Sequence, residues 1–375
     1  MILPSIIIVL CYGVLIITLG IGFNKVKEFT PSVEIPKTKF SIIIPFRNEE
    51  NNLTELLNSL SLLNYPKELF EILMIDDDSD DDSIKIIELS KTRYPNLPIL
   101  ILENLRESTS PKKDAIETAI NKAQFDWIIT TDADCIVPKN WLQTFDAFIQ
   151  THQPKLVATP VTYIVGNSFL EQFQLFDFLS LQAATIGGFG LNKPFLCNGA
   201  NLCYQKSVYF EVNGFEGNAH IASGDDIFLM EKIKNKFPNG VQFLKSKDAL
   251  VYTKPQPTLK SLISQRVRWA AKTSSVKTTF TKLVGVIVFI INFLLVLTVF
   301  MVLAKLVLWQ HLLLLFMVKL VLDLSLLLKV FFLFKQPFNV PLYLLSSLCY
   351  PFFSMFVIAL SFNKGFRWKG RSFKK

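Results

Sequence analysis

The sequence predicts an α/β domain with a Rossmann-like, mostly parallel sheet, flanked by transmembrane helices on its N-terminal and C-terminal sides. Three observations carry this. Only 19% of the 375 residues are charged while 50% are hydrophobic, including 34 Phe, whereas soluble domains carry about 25% charge. The apolar excess falls in two blocks, residues 2–23 and 283–362. Between them, apolar runs of strand length alternate with helical stretches, and two of those runs end in aspartates. Disorder is excluded by the apolar content and the lack of polar low-complexity tracts. Cys11, Cys135, Cys197, Cys203 and Cys349 stand singly, without C-x-x-C spacing. That argues against a zinc site or disulfide framework and fits a reducing compartment.

The elements follow in order. Residues 2–23 carry no charge and, at about 1.5 Å per residue, reach across a hydrocarbon core of about 30 Å. No basic residue precedes them, as a cleaved signal peptide requires, so residues 1–24 read as a retained anchor. Lys25 and Lys27 place the following segment in the cytosol by the positive-inside rule. Residues 25–282 have globular composition. Strands are expected at 40–45 (FSIIIP), 70–75 (FEILMI), 98–102 and 127–131 (WIITT), with a polar turn at 47–51 and an amphipathic helix at 53–63 after the first. Such alternation implies right-handed crossovers and a ligand site outside the carboxyl ends of the strands. Residues 165–190 are expected to include an amphipathic helix at the membrane interface, with Phe169, Phe173, Phe176, Phe178 and Leu179 on one side and Glu171, Gln172, Gln174 and Gln182 on the other, an ordinary core helix being the alternative.

Residues 283–375 form the C-terminal membrane region, with spans expected near 283–304, 306–334 and 340–362. Lys319 and Asp323, spaced i,i+4, are expected to pair and stabilise helix packing. Three full spans after a cytosolic domain would leave Lys364, Arg367, Lys369, Arg371, Lys374 and Lys375 outside, against the positive-inside rule. Pro341 and Pro351 are expected to interrupt the last stretch and turn it into a re-entrant or interfacial path, leaving the C-terminus cytosolic.

Four polar constellations remain. The first, Asp76 to Asp82 with Ser79 inside it, ends the second strand. Helix capping accounts for its later acids, while Asp76 and Asp77 sit where carboxylates hold a base or ribose. The second is Asp132-Ala133-Asp134 after the fourth strand. A D-x-D where the chain turns can bring two carboxylates to one hard cation, and Mg²⁺ or Mn²⁺ needs only one or two carboxylates beside phosphate. The third is Ser223-Gly224-Asp225-Asp226, preceded by His220 and followed by a helical run. Taken alone it reads as a helix cap. The fourth, Gln265-Arg266-Val267-Arg268-Trp269, taken alone reads as a juxtamembrane basic and aromatic patch.

Together these residues resemble a family. FSIIIPFRNEENNL, MIDDDSDDDS, Lys112 ahead of DAI, TDADC with Pro138 and Trp141, NGANLCY with VNGF, SGDDIFL, QRVRW and a later WKGR stand in the order seen in membrane-bound family 2 glycosyltransferases of the GT-A fold. The chain is similar to the lipid-modifying members that resemble ceramide and carotenoid glucosyltransferases. The resemblance spans roughly residues 40–270 and implies an inverting, metal-dependent hexosyltransferase in the cell (inner) membrane. It implies that Pro45, Phe46, Glu49 and Asp76 or Asp77 hold the nucleoside, with Lys112 near the diphosphate. Asp132 and Asp134 would take the ribose and a Mg²⁺ or Mn²⁺ ion. Asp226 matches the catalytic base, with Asp225 beside it, and Gln265, Arg268 and Trp269 match the acceptor-side motif. The implied partners are a nucleotide-sugar, most simply a UDP-sugar, a lipid or glycan acceptor and membrane lipids, with no nucleic acid. Two positions depart from the pattern: Asp78 replaces a glycine, and Pro111 stands where a glycine precedes the lysine. A rival reading is a non-catalytic membrane protein whose cytosolic domain binds nucleotide or anionic lipid through its basic juxtamembrane residues.

Overall fold

The computed structural model describes residues 2–31, 35–218, 221, 223–273, 278–363, 366–368 and 371–373. His220, Lys364, Lys369, Lys374 and Lys375 lie outside the described residues. In chain order the elements are α1 (Ile2–Lys25), β1 (Phe40–Phe46), α2 (Leu53–Ser61), β2 (Phe70–Asp76), α3 (Ser83–Arg93), β3 (Ile99–Glu103), α4 (Pro111–Lys122), β4 (Trp127–Thr130), α5 (Trp141–His152), β5 (Leu156–Ala158), β6 (Val161–Tyr163), α6 (Phe169–Gly190), β7 (Leu202–Gln205), α7 (Lys206–Glu211), α8 (Asp225–Lys236), β8 (Val241–Phe243), β9 (Val251–Thr253), α9 (Leu259–Thr273), α10 (Thr279–Leu303), α11 (Trp309–Phe334), α12 (Val340–Asn363), β10 (Phe366–Trp368) and β11 (Arg371–Phe373). They fall into two units. An α/β unit holds Lys27–Ile164 and Leu196–Lys254, and a helical unit holds Met1–Val26, Val165–Phe195 and Pro255–Lys375.

In the α/β unit seven strands form one sheet in the order β3-β2-β1-β4-β7-β5-β8. β1 runs parallel to β2 and β4, β2 runs parallel to β3, and β7 is antiparallel to both its neighbours. β1 and β2 are apolar on both faces and almost wholly buried, as parallel strands covered by helices must be. The four expected strands all form, with ends within one residue of those read from the sequence. Register decides where the site lies: Phe46 pairs with Asp76 and Ile43 with Thr130. The carboxyl ends of β2, β1 and β4 therefore stand side by side; the chains emerging from β2 and β4 carry the first two polar constellations, and the chain emerging from β1 carries the polar turn at 47–51.

In the helical unit α1, α10, α11 and α12 are each long and apolar enough to cross a membrane. α1 and α11 run parallel: a Cβ on Gly13 would meet Leu322, one on Gly20 would meet Lys329, and Lys329 Nζ donates to Asn24 Oδ1 at 3.1 Å. Lys319 pairs with Asp323 at 2.5 Å, and Tyr12 of α1 donates its hydroxyl to Asp323. The pair thus ties α11 to α1, the packing role expected of charges in a span.

Two expectations need correction. α6 does not offer an apolar face to the membrane interface. Phe173, Phe176, Phe178 and Leu179 are buried, and so are Gln172, Gln174 and Gln182, because the helix packs against α1, α11 and α12. Its polar groups are satisfied inside this packing: Gln172 donates to Gly166 O and Gln174 to Gln256 O. α6 is a core helix. The prolines also do not break the last apolar stretch, since α12 is one continuous helix through Pro351. Pro341 lies in its first turn, where no intrahelical donor is required.

Candidate functional site

At the tip of β2, Asp76 accepts the backbone N–H of Ser79 at 3.0 Å and closes the turn with its own carboxylate. Asp78 in that turn has φ +66°, the left-handed conformation that glycine serves in the family pattern and that aspartate tolerates. The departure from glycine leaves the turn intact. Asp77 is buried and accepts from Asn104 Nδ2 at 2.8 Å and from Arg106 Nε at 2.9 Å. Arg47 Nη1 donates to the Asp77 carbonyl at 2.7 Å and pairs with Asp78. Hydrogen bonds from Arg47 and Arg106 hold the exposed Asp78 carboxyl below the usual carboxylate range. Phe46 accepts the N–H of Asp77, and Pro45 precedes it in β1. Glu49, in the next turn, is anchored through its N–H to Ser83 Oγ at 2.9 Å and accepts from Asn52 Nδ2 at 2.7 Å. Pro45, Phe46, Glu49, Asp76 and Asp77 thus share one edge of the sheet.

Beyond β4, burial alternates along the D-x-D. Ala133 and Cys135 are inside, while Asp132 and Asp134 are half-buried on the open side. Burial, with Asp134 and Asp132 next to it, pushes the Cys135 thiol well up, so it is a neutral wall and not a nucleophile. Pro111, the second departure, occupies the first position of α4, where proline is favoured. Lys112 follows it and points at the acids: its Nζ lies 2.6 Å from Asp132 Oδ1 and 3.7 Å from Asp225 Oδ2. Burial opposes the Lys112 charge, yet Asp132, Asp225 and Asp226 outweigh it and hold its pKa above the ordinary lysine value.

Asp225 and Asp226 open α8. Gly224 ahead of them has φ +80°, and a Cβ there would stand 2.7 Å from the Phe228 ring, so only glycine fits. Gly199 approaches from the other side: its N–H points to Asp226 Oδ2 at 3.3 Å, and its carbonyl accepts from Thr130 Oγ1 at 2.7 Å. Asp226 also accepts its neighbour Ile227 N–H at 2.7 Å. Two backbone donors therefore orient this carboxylate. The structure brings Lys112, Asp132, Asp225 and Asp226 together at the carboxyl edge of the sheet, with Asp134 one turn away. Gly199 sits in the NGANLCY segment, to which the sequence reading gave no role, and Asn104 and Arg106 carry no spacing signal that would have found them.

Gln265, Arg268 and Trp269 lie on α9 in the helical unit. There Arg266, which the sequence placed only within a basic and aromatic patch, ion-pairs with Asp177 of α6 at 2.6 Å with both side chains buried. Its guanidinium stacks 4.2 Å from the Trp269 ring centroid, and Phe178 packs at 6.3 Å from the same ring. Gln265 accepts from Arg266 at 2.6 Å.

The residues fit a divalent cation by the chemistry of their donors. Asp132 and Asp134 could supply two hard oxygen ligands on one open side, within the one or two carboxylates that Mg²⁺ or Mn²⁺ uses beside phosphate. Among the described residues no group of three or more His, Cys, Asp or Glu converges, so the remaining ligands would come from substrate and water.

Comparison with known proteins agrees. The chain is 36% identical over 129 residues to the poly(ribitol-phosphate) beta-N-acetylglucosaminyltransferase TarS of Staphylococcus aureus, covering 34% of this chain and 22% of that one. It is 28% identical over 189 residues to the glycosyltransferase AglE of Haloferax volcanii, covering 50% and 58%. The chain thus spans about a fifth and somewhat over half of these relatives. Among solved structures, the mannosyltransferase PcManGT from Pyrobaculum calidifontis, in complex with GDP-Man and Mn²⁺, superposes with a TM-score of 0.56 over 95% of this chain and 96% of that one, at 14% identity. That likeness shows the fold, a GT-A-like α/β domain with its flanking helices. The family model of glycosyl transferase family 21 matches residues 3–375, and with the motifs, their order and the fold in agreement, the chain belongs to that family.

Proposed function

We propose that the protein is an inverting, metal-dependent hexosyltransferase that moves a sugar from a nucleotide-sugar, most simply a UDP-sugar, to a lipid or glycan-precursor acceptor at the membrane. The observation that supports this best is the position of Lys112, whose ammonium lies between Asp132 of the D-x-D and Asp225 of the GDD. A donor diphosphate gains negative charge as its glycosidic bond breaks. Lys112 would meet that charge by exchanging a carboxylate contact for a phosphate one. Pro45, Phe46, Glu49, Asp76 and Asp77 would hold the nucleoside at the adjoining strand ends. Asp132 and Asp134 would hold the metal and ribose; the bound ion supplies further charge stabilisation at the leaving diphosphate. Asp226, oriented by Gly199 N–H, would take the acceptor hydroxyl proton as that oxygen attacks opposite the leaving group. One displacement inverts the anomeric centre, with Asp225 holding Lys112 in place. Gln265, Arg268 and Trp269 take the acceptor-side role that the motif resemblance implies.

A panel of radiolabelled UDP- and GDP-sugars, offered to purified protein with membrane lipid extract, tests the reading. Transfer by the wild-type chain should be lost in Asp226→Asn while nucleotide binding survives. Full activity of Asp226→Asn would remove the base from the scheme, and nucleotide binding without turnover in the wild type would favour a non-catalytic binding protein.

We further propose that residues 25–282 act in the cytosol, that the protein resides in the cell (inner) membrane, and that its C-terminus is cytosolic. Lys25 and Lys27 support the first point. For the last, the support is internal to the helical unit: α12 packs along α6, α9 and α10, and β10 beyond it packs on α9, so α12, though long enough to cross, would lie along the membrane surface without spanning it, and the chain returns to the helix that precedes α10. Alkaline phosphatase fused after Lys375 should be inactive, and activity there would mean that the tail is exported.

A further inference from the structure

Backbone carbonyls ahead of Asp225 and Asp226 are held by two lysines, one on α8 itself and one remote in sequence. Lys232, two turns into α8, donates to the carbonyls of Asn213, Gly214 and Glu216 at 3.1, 2.7 and 2.7 Å. Lys113, in the first turn of α4, donates to the carbonyls of Asn218 and Ile221 at 2.6 and 2.9 Å and reaches Asn218 Oδ1 at 3.3 Å. The two differ in burial. Lys113 is 1% exposed, and its ammonium faces the rings of Phe215 and Phe228 at 5.8 and 5.3 Å.

Taking an ammonium out of water costs several kcal/mol. Carbonyl dipoles and ring faces compensate that cost here, yet water would satisfy the same carbonyls at a surface without it. What the buried cation adds is geometry. It grips the backbone before the acid pair at Asn218 and Ile221. It also touches Phe228, the ring packed beneath Gly224, on the far side of that pair. Successive helix residues point about 100° apart, so the first turn of α4 sends Lys112 to Asp132 and Asp225 and sends Lys113 to the Asn218 and Ile221 carbonyls ahead of Asp225 and Asp226.

We propose that Lys113 is a positioning residue for transfer: it fixes Asp226 relative to the helix that carries Lys112, without itself touching either substrate. The proposal rests on the reading of Asp226 as the base and deepens it. Acid and ammonium are then set by two adjacent residues of one helix turn, so donor binding and acceptor activation share a frame.

The test uses the full chain in detergent micelles with Lys113→Met, which keeps the stem and removes the charge. UDP affinity is measured by calorimetry, and transfer is measured with whichever panel donor the wild type uses. UDP affinity should stay within about twofold while kcat falls about 10- to 100-fold, the loss typical of a misplaced catalytic group. An unchanged kcat, or kcat and UDP affinity lost together in step with the thermal midpoint, overturns the proposal, because the lysine is then dispensable or merely structural. Should the Met variant not fold, Lys113→Gln, which retains one donor, is read on the same two quantities with the same outcomes deciding. A wild-type chain that binds UDP but transfers nothing overturns the reading of the site, and this proposal with it.

Discussion

Removing the Asp177 carboxylate probes how α9 is held. Arg266 and Asp177 are each 7% exposed at the side chain and are joined at 2.6 Å. Taking away one partner of such a pair strands a buried charge and costs about 3–5 kcal/mol. The loss of orientation spreads to Trp269, whose stack on the guanidinium at 4.2 Å contributes about 0.5–2 kcal/mol. Asp177→Ala should therefore lower the unfolding free energy in fixed detergent by several kcal/mol. The double variant Asp177→Leu with Arg266→Met removes both charges and should return stability to within about 1 kcal/mol of wild type. Its transferase activity should nevertheless stay low, because Trp269 has lost the cation against which it packs. Thermal and denaturant unfolding followed by intrinsic fluorescence gives the first quantity, and the sugar-transfer assay gives the second. A single variant that shifts stability by no more than an exposed substitution, about 0.5 kcal/mol, refutes the reasoning. So does a double variant as unstable as the single one.

Three more outcomes are expected. Chelation with EDTA should abolish transfer and Mg²⁺ or Mn²⁺ restore it, while Asp134→Ala should remove the response to metal without moving the thermal midpoint; full turnover in excess EDTA would sink the metal assignment. Gly22→Leu should prevent α1 from docking, since a Cβ there would stand 2.1 Å from Gly187 O, whereas Gly285→Leu, with nothing within 4 Å of its Cβ, should behave as wild type; equal yields of folded protein would contradict this. Lys112, with its pKa raised above the lysine value of 10.5 by its acids, contributes its pairing fully below that value and loses it only as pH climbs through the raised one. The pH profile of kcat/KM should accordingly show no lysine-dependent fall between about pH 7 and pH 10, and a fall in that window that disappears in Lys112→Arg would show the charge is not held.

The centre of the sheet was readable because β1 and β2 are buried on both faces. A run such as FSIIIPF leaves no alternation to misread, and the polar turns after β1, β2 and β4 mark where each run ends. The spans were readable for the same reason, that lipid tolerates few exceptions. The interfacial reading of α6 failed because its apolar and polar residues are interleaved around the helix, and a helix surrounded on several sides buries both. Gln174 is fully buried and Asp177 nearly so, and each is matched by a partner that sequence spacing does not reveal: Gln256 lies 82 residues away and Arg266 lies 89 residues away. Pro341 and Pro351 were misread from composition alone. One falls in a first turn, and the other removes a single bond from a long helix.

The site divides along the same line. Acids at strand tips are legible because ligands bind at the carboxyl edge of the parallel strands, so Asp76 and Asp132 announce themselves by position, whereas Asp226 opens a helix and was legible only through the motif resemblance. Their supports are not legible, because each support is a long-range match of donor to acceptor. Lys112 and Lys113 are adjacent and chemically identical, yet one reaches solvent-accessible acids and the other is buried on carbonyls more than a hundred residues away. Spacing alone does not separate them; the motif resemblance singles out Lys112, and the first turn of α4, which begins at Pro111, sends the two side chains in different directions.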